Sequence, residues 1–200
     1  MADKPRTYRM QRRAESQLET RRRIAESAVE LHGTVGPSRT SVSAVAARAG
    51  VRRSTVYRHF PDEAALFDAC TAHWSAANPL PDLARWSSVD DPDQRLKAGL
   101  AELYGFYART RQMLENLLRD EATEPLVRER FAAFHGYFAT ARDTLMAGRR
   151  LRGNARRRTQ AAVGHAIAFS TWRSLTQEQG LDDSIAAALM STLVARAAGE

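Results

Sequence analysis

Residues 40–67 read TSVSAVAARAGVRRSTVYRHFPDEAALF. Hydroxyl residues open the stretch, with Ser41 placed to cap a helix whose Val42, Val45 and Ala46 fall on one face. Gly50 follows, where a left-handed backbone is easy for glycine and unfavourable for most other residues. Val51 closes the turn over the core, and a second short helix is predicted from Arg53 or Ser54 to Phe60. It buries Val56 and Phe60 and leaves Arg52, Arg53, Thr55 and Arg58 to solvent. Pro61-Asp62 stops it and starts a third helix, with Leu66 and Phe67 turned back toward the first two. Two short helices around a glycine turn, the second rich in basic and hydroxyl residues, read as a helix-turn-helix. An ordinary helical hairpin with a solvated polar face shares that pattern.

The charge distribution bears on this choice. Residues 1–60 hold 13 Lys/Arg and 5 Asp/Glu, a balance of +8, whereas residues 61–200 hold 17 and 18, a balance of −1. The excess positive charge therefore lies in and before the 40–67 stretch, which suits a polyanionic partner for that part and a different task for the rest. A basic tail accounts for some of it, but Arg39, Arg48, Arg52, Arg53 and Arg58 lie beyond any tail. The apolar fraction of 44% and charged fraction of 26% fit a globular chain, and its alanine richness favours helix. No charge-free run approaches membrane-spanning length and the arginine-rich start has no apolar signal core, so no membrane contact and a cytoplasmic location are expected. Cys70, the single cysteine, is expected as a buried small hydrophobe.

The wording AxxAGVxxxTVYxHFPxxxALF, with Tyr57, Phe60 and the following FPDEAALF, closely resembles the DNA-binding domain of TetR-family transcriptional repressors, over roughly Leu18–Phe67. The resemblance implies an all-α chain: an N-terminal three-helix helix-turn-helix domain followed by a C-terminal helical ligand-binding and dimerisation domain. The expected divisions are a flexible basic arm over 1–16, the DNA-binding domain over 17–67 and the C-terminal domain over 68–200. Double-stranded DNA is the expected partner of the second. Arg52 and Arg53 are candidates for base edges, since arginine presents a bidentate fork to guanine in the major groove. Ser54 and Thr55 can donate to bases or phosphates, and the amides behind Ser41 open a helix that can face a phosphate. By resemblance Tyr57 bonds a phosphate; a half-buried core aromatic is the other reading of it. Arg58 and His59 fall at the edge of the contact face, His59 with the weaker claim to base reading. The resemblance also brings a departure. Family members often place a phosphate-clamping lysine shortly after the proline, where this chain has Asp62 and Glu63.

The remaining chain reads as helices. The first is predicted from about Gln17 to His32, with Leu18, Ile24, Ala25, Ala28 and Leu31 inward; before it, Lys4, Arg6, Arg9, Arg12 and Arg13 either touch phosphates or are solvated. A linker helix runs from Asp62 to about Ala76, and the proline-bearing stretch 77–92 marks a boundary in which Trp86 either caps a cavity or fastens the loop. Long helices follow over Asp93 to about Asp120 and Pro125 to about Ala147, with Gly136 and Gly148 as bend and stop positions. RRLRGNARRR, residues 149–158, reads as an exposed loop and helix start; its six arginines invite a second nucleic-acid site, but the resemblance places this part far from DNA, so solvation or an acidic partner is the expected reading. The last helices are predicted over Asn154–Gln177 and Asp182–Ala198. Small residues such as Ala166, Ala187 and Ser191, between Ile185, Leu189 and Leu193, permit close helix approach. The resemblance makes these two helices a homodimer interface; an intramolecular bundle is the alternative.

The resemblance further implies a cavity for a small-molecule effector whose binding releases DNA. Its candidate liners are Trp74, Trp86, Tyr104, Phe106, Tyr107, Met113, Phe134, His135, Tyr137 and Trp172, and their aromatic and thioether character suits an apolar, aromatic effector. Enzyme chemistry is not expected and no cofactor is implied. His32, His59, His73, His135 and His165 include no metal-ligand spacing, Cys70 has no local nucleophile partners, and there is no glycine-rich phosphate loop after a strand. A regulator without a small-molecule sensor, acting constitutively or through a protein partner, is the alternative. So is an activator.

Overall fold

The computed structural model describes residues 4–199, with side chains from Tyr8 onward, so the expected arm lies outside the described residues at 1–3, and the side chains of Lys4 and Arg6 do too. Two compact units divide the chain: Met1–Asn78 with Gln112–Arg130, and Pro79–Arg111 with Phe131–Glu200.

In the first unit, helix α1 spans Lys4–Thr34. The backbone is thus already helical over 4–16, where composition alone suggests an irregular arm. Side chains from Tyr8 to Glu19 are exposed and burial begins in earnest at Ile24, so Leu18, expected inward, is 68% exposed. The early turns of α1 run beyond the helices that α1 packs against. A 3-10 turn, Pro37–Arg39, leads into α2, Val42–Arg48. Ser41 caps α2 as expected, its hydroxyl accepting the Ala44 amide at 3.1 Å. The other end closes with the amides of Val51 and Gly50 on the carbonyls of Ala46 and Ala47, at 3.0 and 3.2 Å, a Schellman arrangement that requires the positive φ of 63° found at Gly50. Helix α3 is Arg53–His59 and α4 is Glu63–Ala77. Phe60 is extended, as the residue before a proline should be, and Asp62 caps α4 by accepting the Ala65 amide at 2.7 Å. Ile24 and Ala28 of α1, Val42, Val45 and Ala46 of α2, Val56 and Phe60 around α3, and Leu66 and Cys70 of α4 form one core.

This unit also contains the facing ends of two longer helices, α5 being the short Leu83–Ser87 of the other unit, α6 Pro92–Glu121 and α7 Pro125–Met146. The last two turns of α6 hold the connection between α1 and α2. Asn116 donates from one amide nitrogen to the carbonyls of His32 and Gly33, both at 2.9 Å, and Arg119 donates to that of Val35 at 3.1 Å. Asp120 accepts the Ser38 amide at 2.9 Å and the Arg119 guanidinium at 2.8 Å. These bonds satisfy carbonyls that the end of α1 leaves open. They also leave no room at Gly36, where an added Cβ would run into Arg119 and come within 2.6 Å of the Asp120 carboxylate at a φ of 94°. Gly36→Ala is therefore expected to lower stability by about 2–3 kcal/mol, through backbone strain and displaced charged hydrogen bonds, as read from urea unfolding.

The second unit adds α8, Gly153–Ala166, α9, Phe169–Arg173, a π-helical turn, Ser174–Glu178, and α10, Asp183–Ala198. Gly136 lies within α7 and does not interrupt it, while Gly148 does stop that helix at a φ of 76°. The single helix expected over 154–177 is interrupted at Ile167–Ala168. The buried hydroxyl of Tyr104 donates to the Ala166 carbonyl at 2.9 Å and that of Tyr107 to the Ile167 carbonyl, so α6 takes over the acceptors at the break. Buried Arg95 does the same for the end of α7, bonding the carbonyls of Ala147, at 2.7 Å, and Thr144, together with Val89 and Asp90. Trp86 fastens its loop: its indole donates to Glu102 at 2.9 Å while the ring lies beside Gly99. On α10 the residues Ala186, Ala187, Met190, Ser191 and Val194 are buried, whereas Ile185, Leu189 and Leu193, expected inward, form an outward stripe one turn apart.

Candidate nucleic-acid interface

Helix α3 is held from behind and open in front. Val56 and Phe60 face the core, and helical phase places Ser54 and Arg58 on the opposite side, both exposed. Tyr57, 38% exposed, and half-buried Thr55 flank them. Arg52 occupies the cap position with no side-chain cap bond and is exposed. Arg53 is exposed and leans over the Tyr57 ring, 5.5 Å from its centroid, with a guanidinium nitrogen 3.2 Å from the phenol oxygen. The pair presents one cation and one hydroxyl at a fixed spacing along the same edge of α3. Ser41 is also exposed, but its hydroxyl serves the α2 cap.

His59 sits differently. It is half-buried, and burial first, then Arg58 and Arg21, lowers its pKa, so the ring is neutral at physiological pH. Its carbonyl accepts the Arg21 guanidinium, which also lies over the Phe60 ring at 4.1 Å. Arg21 of α1 thereby closes the C-terminal end of α3 and fixes its direction, a role that sequence reasoning does not assign. Only the separation of 38 residues between donor and acceptor hides it. Arg21→Ala is expected to cost about 1–2 kcal/mol of stability by removing the cation–π stacking and the charged hydrogen bond, measured by thermal unfolding. Arg48 of α2 pairs with Glu30 of α1. Asp62, standing where the family resemblance points to a lysine, is used as the α4 cap.

The candidate effector residues are divided between the units. Trp74, half-buried on α4, and Met113, buried beside Gly33, belong to the first. Trp86, Tyr104, Phe106, Tyr107, Phe134, His135, Tyr137 and Trp172 belong to the second. Tyr107 is buried with Tyr104, Phe106, Phe138, Phe169 and Trp172 around it, ring centroids 5.3–6.3 Å away. Burial raises the pKa of Tyr107, Tyr104 and Tyr137, so all three remain proton donors; Tyr137 donates to the Pro81 carbonyl at 2.8 Å. Phe134 is half-buried and His135 exposed. An open recess of about 420 Å³ lies beside the π turn, its lining including Arg111, Trp172, Gln177, Asp182 and Asp183. Of the expected liners only Trp172 reaches it, with its indole on Asp183 at 2.8 Å. Among the described residues, no cluster of His, Cys, Asp and Glu could hold a metal and no helix is long and apolar enough to cross a membrane.

Residues 24–70 match the model of the bacterial regulatory proteins of the tetR family. The fold of the whole chain is similar to that of a TetR-like transcriptional regulator from Rhodococcus sp. RHA1, at 19% identity over 90% of this chain and 97% of that one, with a TM-score of 0.66. It is also similar to NalD, the secondary repressor of the MexAB-OprM multidrug efflux pump in Pseudomonas aeruginosa, at 26% identity over 92% and 97% of the two chains and a TM-score of 0.63. No curated protein matches the chain. The matched segment contains all of α2 and α3, the helix pair that presents the basic face. Over residues 24–70 the chain is thus similar to the bacterial regulatory proteins of the tetR family, and over most of its length it shares the fold of TetR-like transcriptional regulators.

Proposed function

We propose that the protein is a sequence-specific transcriptional repressor that binds a palindromic operator as a homodimer and leaves it when a small apolar or aromatic effector binds. Residues 17–67 form its DNA-binding domain, and residues 68–200 its effector-binding and dimerisation domain; the setting is cytoplasmic. The observation that carries the reading is the open face of α3, where Arg52, Arg53, Ser54, Thr55, Tyr57 and Arg58 surround a helix anchored by Val56 and Phe60. A helix of two turns reads few base pairs, so a second copy is needed for specificity. The stripe of Ile185, Leu189 and Leu193, 53%, 39% and 49% exposed, supports pairing through α8 and α10. The effector part draws on the aromatic content of the second unit. The close ring packing about Tyr107 favours a second reading, a regulator that works without a small-molecule sensor. Selection of duplexes from a random pool with the purified full chain, at two salt concentrations, tests the function. Recovery of an inverted repeat supports it, and recovery of no common sequence at either salt sinks it.

A further inference from the structure

Between Glu30 and Asp62 the chain carries Arg39, Arg48, Arg52, Arg53 and Arg58 and no acid. Asp62 and Glu63 end that basic run directly behind α3, with Phe60 and Pro61 alone in between. Their charges are put to different uses. Asp62 is turned into the α4 cap, accepting the Ala65 amide at 2.7 Å. Glu63, in the first turn of α4, is exposed and makes no side-chain hydrogen bond or ion pair among the described residues. The other acids of the segment 24–70 are engaged, Glu26 with Arg22, Glu30 with Arg48 and Asp68 with Arg130.

Arg53 is the cation that feels Glu63. Its pKa is raised by the hydrogen bond and charge of Tyr57 first, and by the Glu63 carboxylate as a smaller contribution. Arg53 thus stands between a phenol oxygen at 3.2 Å and a carboxylate that attracts it without taking its donors. Charge alone then has two effects. An uncompensated carboxylate beside α3 repels the phosphates that a duplex of any sequence offers. The same carboxylate competes with phosphate for the Arg53 guanidinium, while its fork stays free for a base edge. The complexes weakened most are those in which Arg53 rests on a phosphate, which are those formed at the wrong sequence.

We infer that Glu63 is a positioning residue for sequence discrimination: it holds Arg53 back from phosphates, so that Arg53 adds to affinity where it meets a base edge and little elsewhere. The inference rests on the reading of α3 as the operator-binding helix. An acid in the first turn also suits the positive end of α4, but a residue with that task alone changes stability and not discrimination.

The test compares the full chain with Glu63→Gln, Glu63→Asp and Glu63→Lys variants. Each is titrated with the operator recovered by duplex selection and with a scrambled duplex of the same length, across a salt series. Glu63→Gln is expected to bind the scrambled duplex about 2–5-fold more tightly, the range of one exposed charge pair, with operator affinity within about twofold of the original. Glu63→Asp is expected to keep most of the original discrimination. Glu63→Lys is expected to steepen the slope of log affinity against log salt on the scrambled duplex by about 0.9 per protomer, one further phosphate being neutralised. Equal gains of Glu63→Gln on both duplexes, or equal losses together with a lower urea midpoint, overturn the inference. So does unchanged affinity for both. Recovery of no common sequence in the selection removes the reading of α3 and this inference together, whereas a recovered operator with unmoved discrimination removes this inference alone.

Discussion

An Arg52→Ala/Arg53→Ala chain is expected to bind its selected operator about 30-fold to 10⁴-fold more weakly per reading head, while eluting as the same oligomer. The range follows from two arginine forks, each worth about 1–3 kcal/mol of base discrimination, at tenfold per 1.4 kcal/mol. The fold should survive. Arg52 contributes no side-chain cap to α3, and the hydrogen bond and ring contact of the Arg53 guanidinium are both with its neighbour Tyr57. Removing Arg53 frees the Tyr57 hydroxyl, so a Tyr57→Phe chain serves as comparison. Removing a phosphate bond weakens all duplexes alike, whereas removing base readers weakens the operator more than a scrambled sequence. Fluorescence anisotropy with the two duplexes separates these outcomes. Unchanged operator affinity in the double variant would remove Arg52 and Arg53 from base reading and leave α3 a structural helix.

The reading head is legible in the sequence because local chemistry makes it. Ser41 as cap, Gly50 as the left-handed turn and Pro61 as the stop act within a few residues, and the structure uses each where the sequence places it. Events set by distant partners are not legible. The break after α8 is fixed by Tyr104 and Tyr107, about sixty residues earlier, whose hydroxyls take the carbonyls of Ala166 and Ile167. Helical propensity across 154–177 contains no trace of it. The clamp of Asn116, Arg119 and Asp120 on the α1–α2 connection spans more than eighty residues. Leu18 and Ile185 share another cause. Periodicity marks an apolar face without saying whether the same chain covers it, and both residues point outward here. The aromatic residues chosen as effector liners illustrate the same ambiguity, since burial against other rings and burial against a ligand select identical side chains.

Stability is expected to fall by about 3 kcal/mol between pH 6.5 and pH 4, and His32 is the cause. The side chain is buried near the end of α1, beside the Phe67 ring at 5.3 Å and the Cys70 sulfur at 3.4 Å. Burial lowers its pKa from 6.5 to about 4, against a smaller upward pull from Asp120. Its thiol neighbour cannot compensate, because burial raises the Cys70 pKa to about 12 and keeps it uncharged. The folded protein therefore holds His32 neutral in a range where the unfolded chain protonates it. Stability is complete above the unfolded pKa, declines as pH falls from 6.5 to about 4 at about 1.4 kcal/mol per pH unit, and loses nothing further from this group below that. Asp68 and Asp120 contribute at lower pH. The Asp68 carboxylate is depressed by its bond to Arg130; burial raises that of Asp120, but its bonds to Arg119 and Ser38 prevail. Both lose their contribution only as pH falls below the ordinary carboxylate range. His59 shifts in the same direction as His32 but is more accessible to water, so a His59→Gln chain should retain most of the slope and a His32→Gln chain should lose it. Urea unfolding midpoints from pH 7 to pH 4 make the comparison. Equal slopes in the His32→Gln and unaltered chains would mean that water reaches this ring in the folded state and that the packing of α1 on α4 is looser than the Phe67 and Cys70 contacts require.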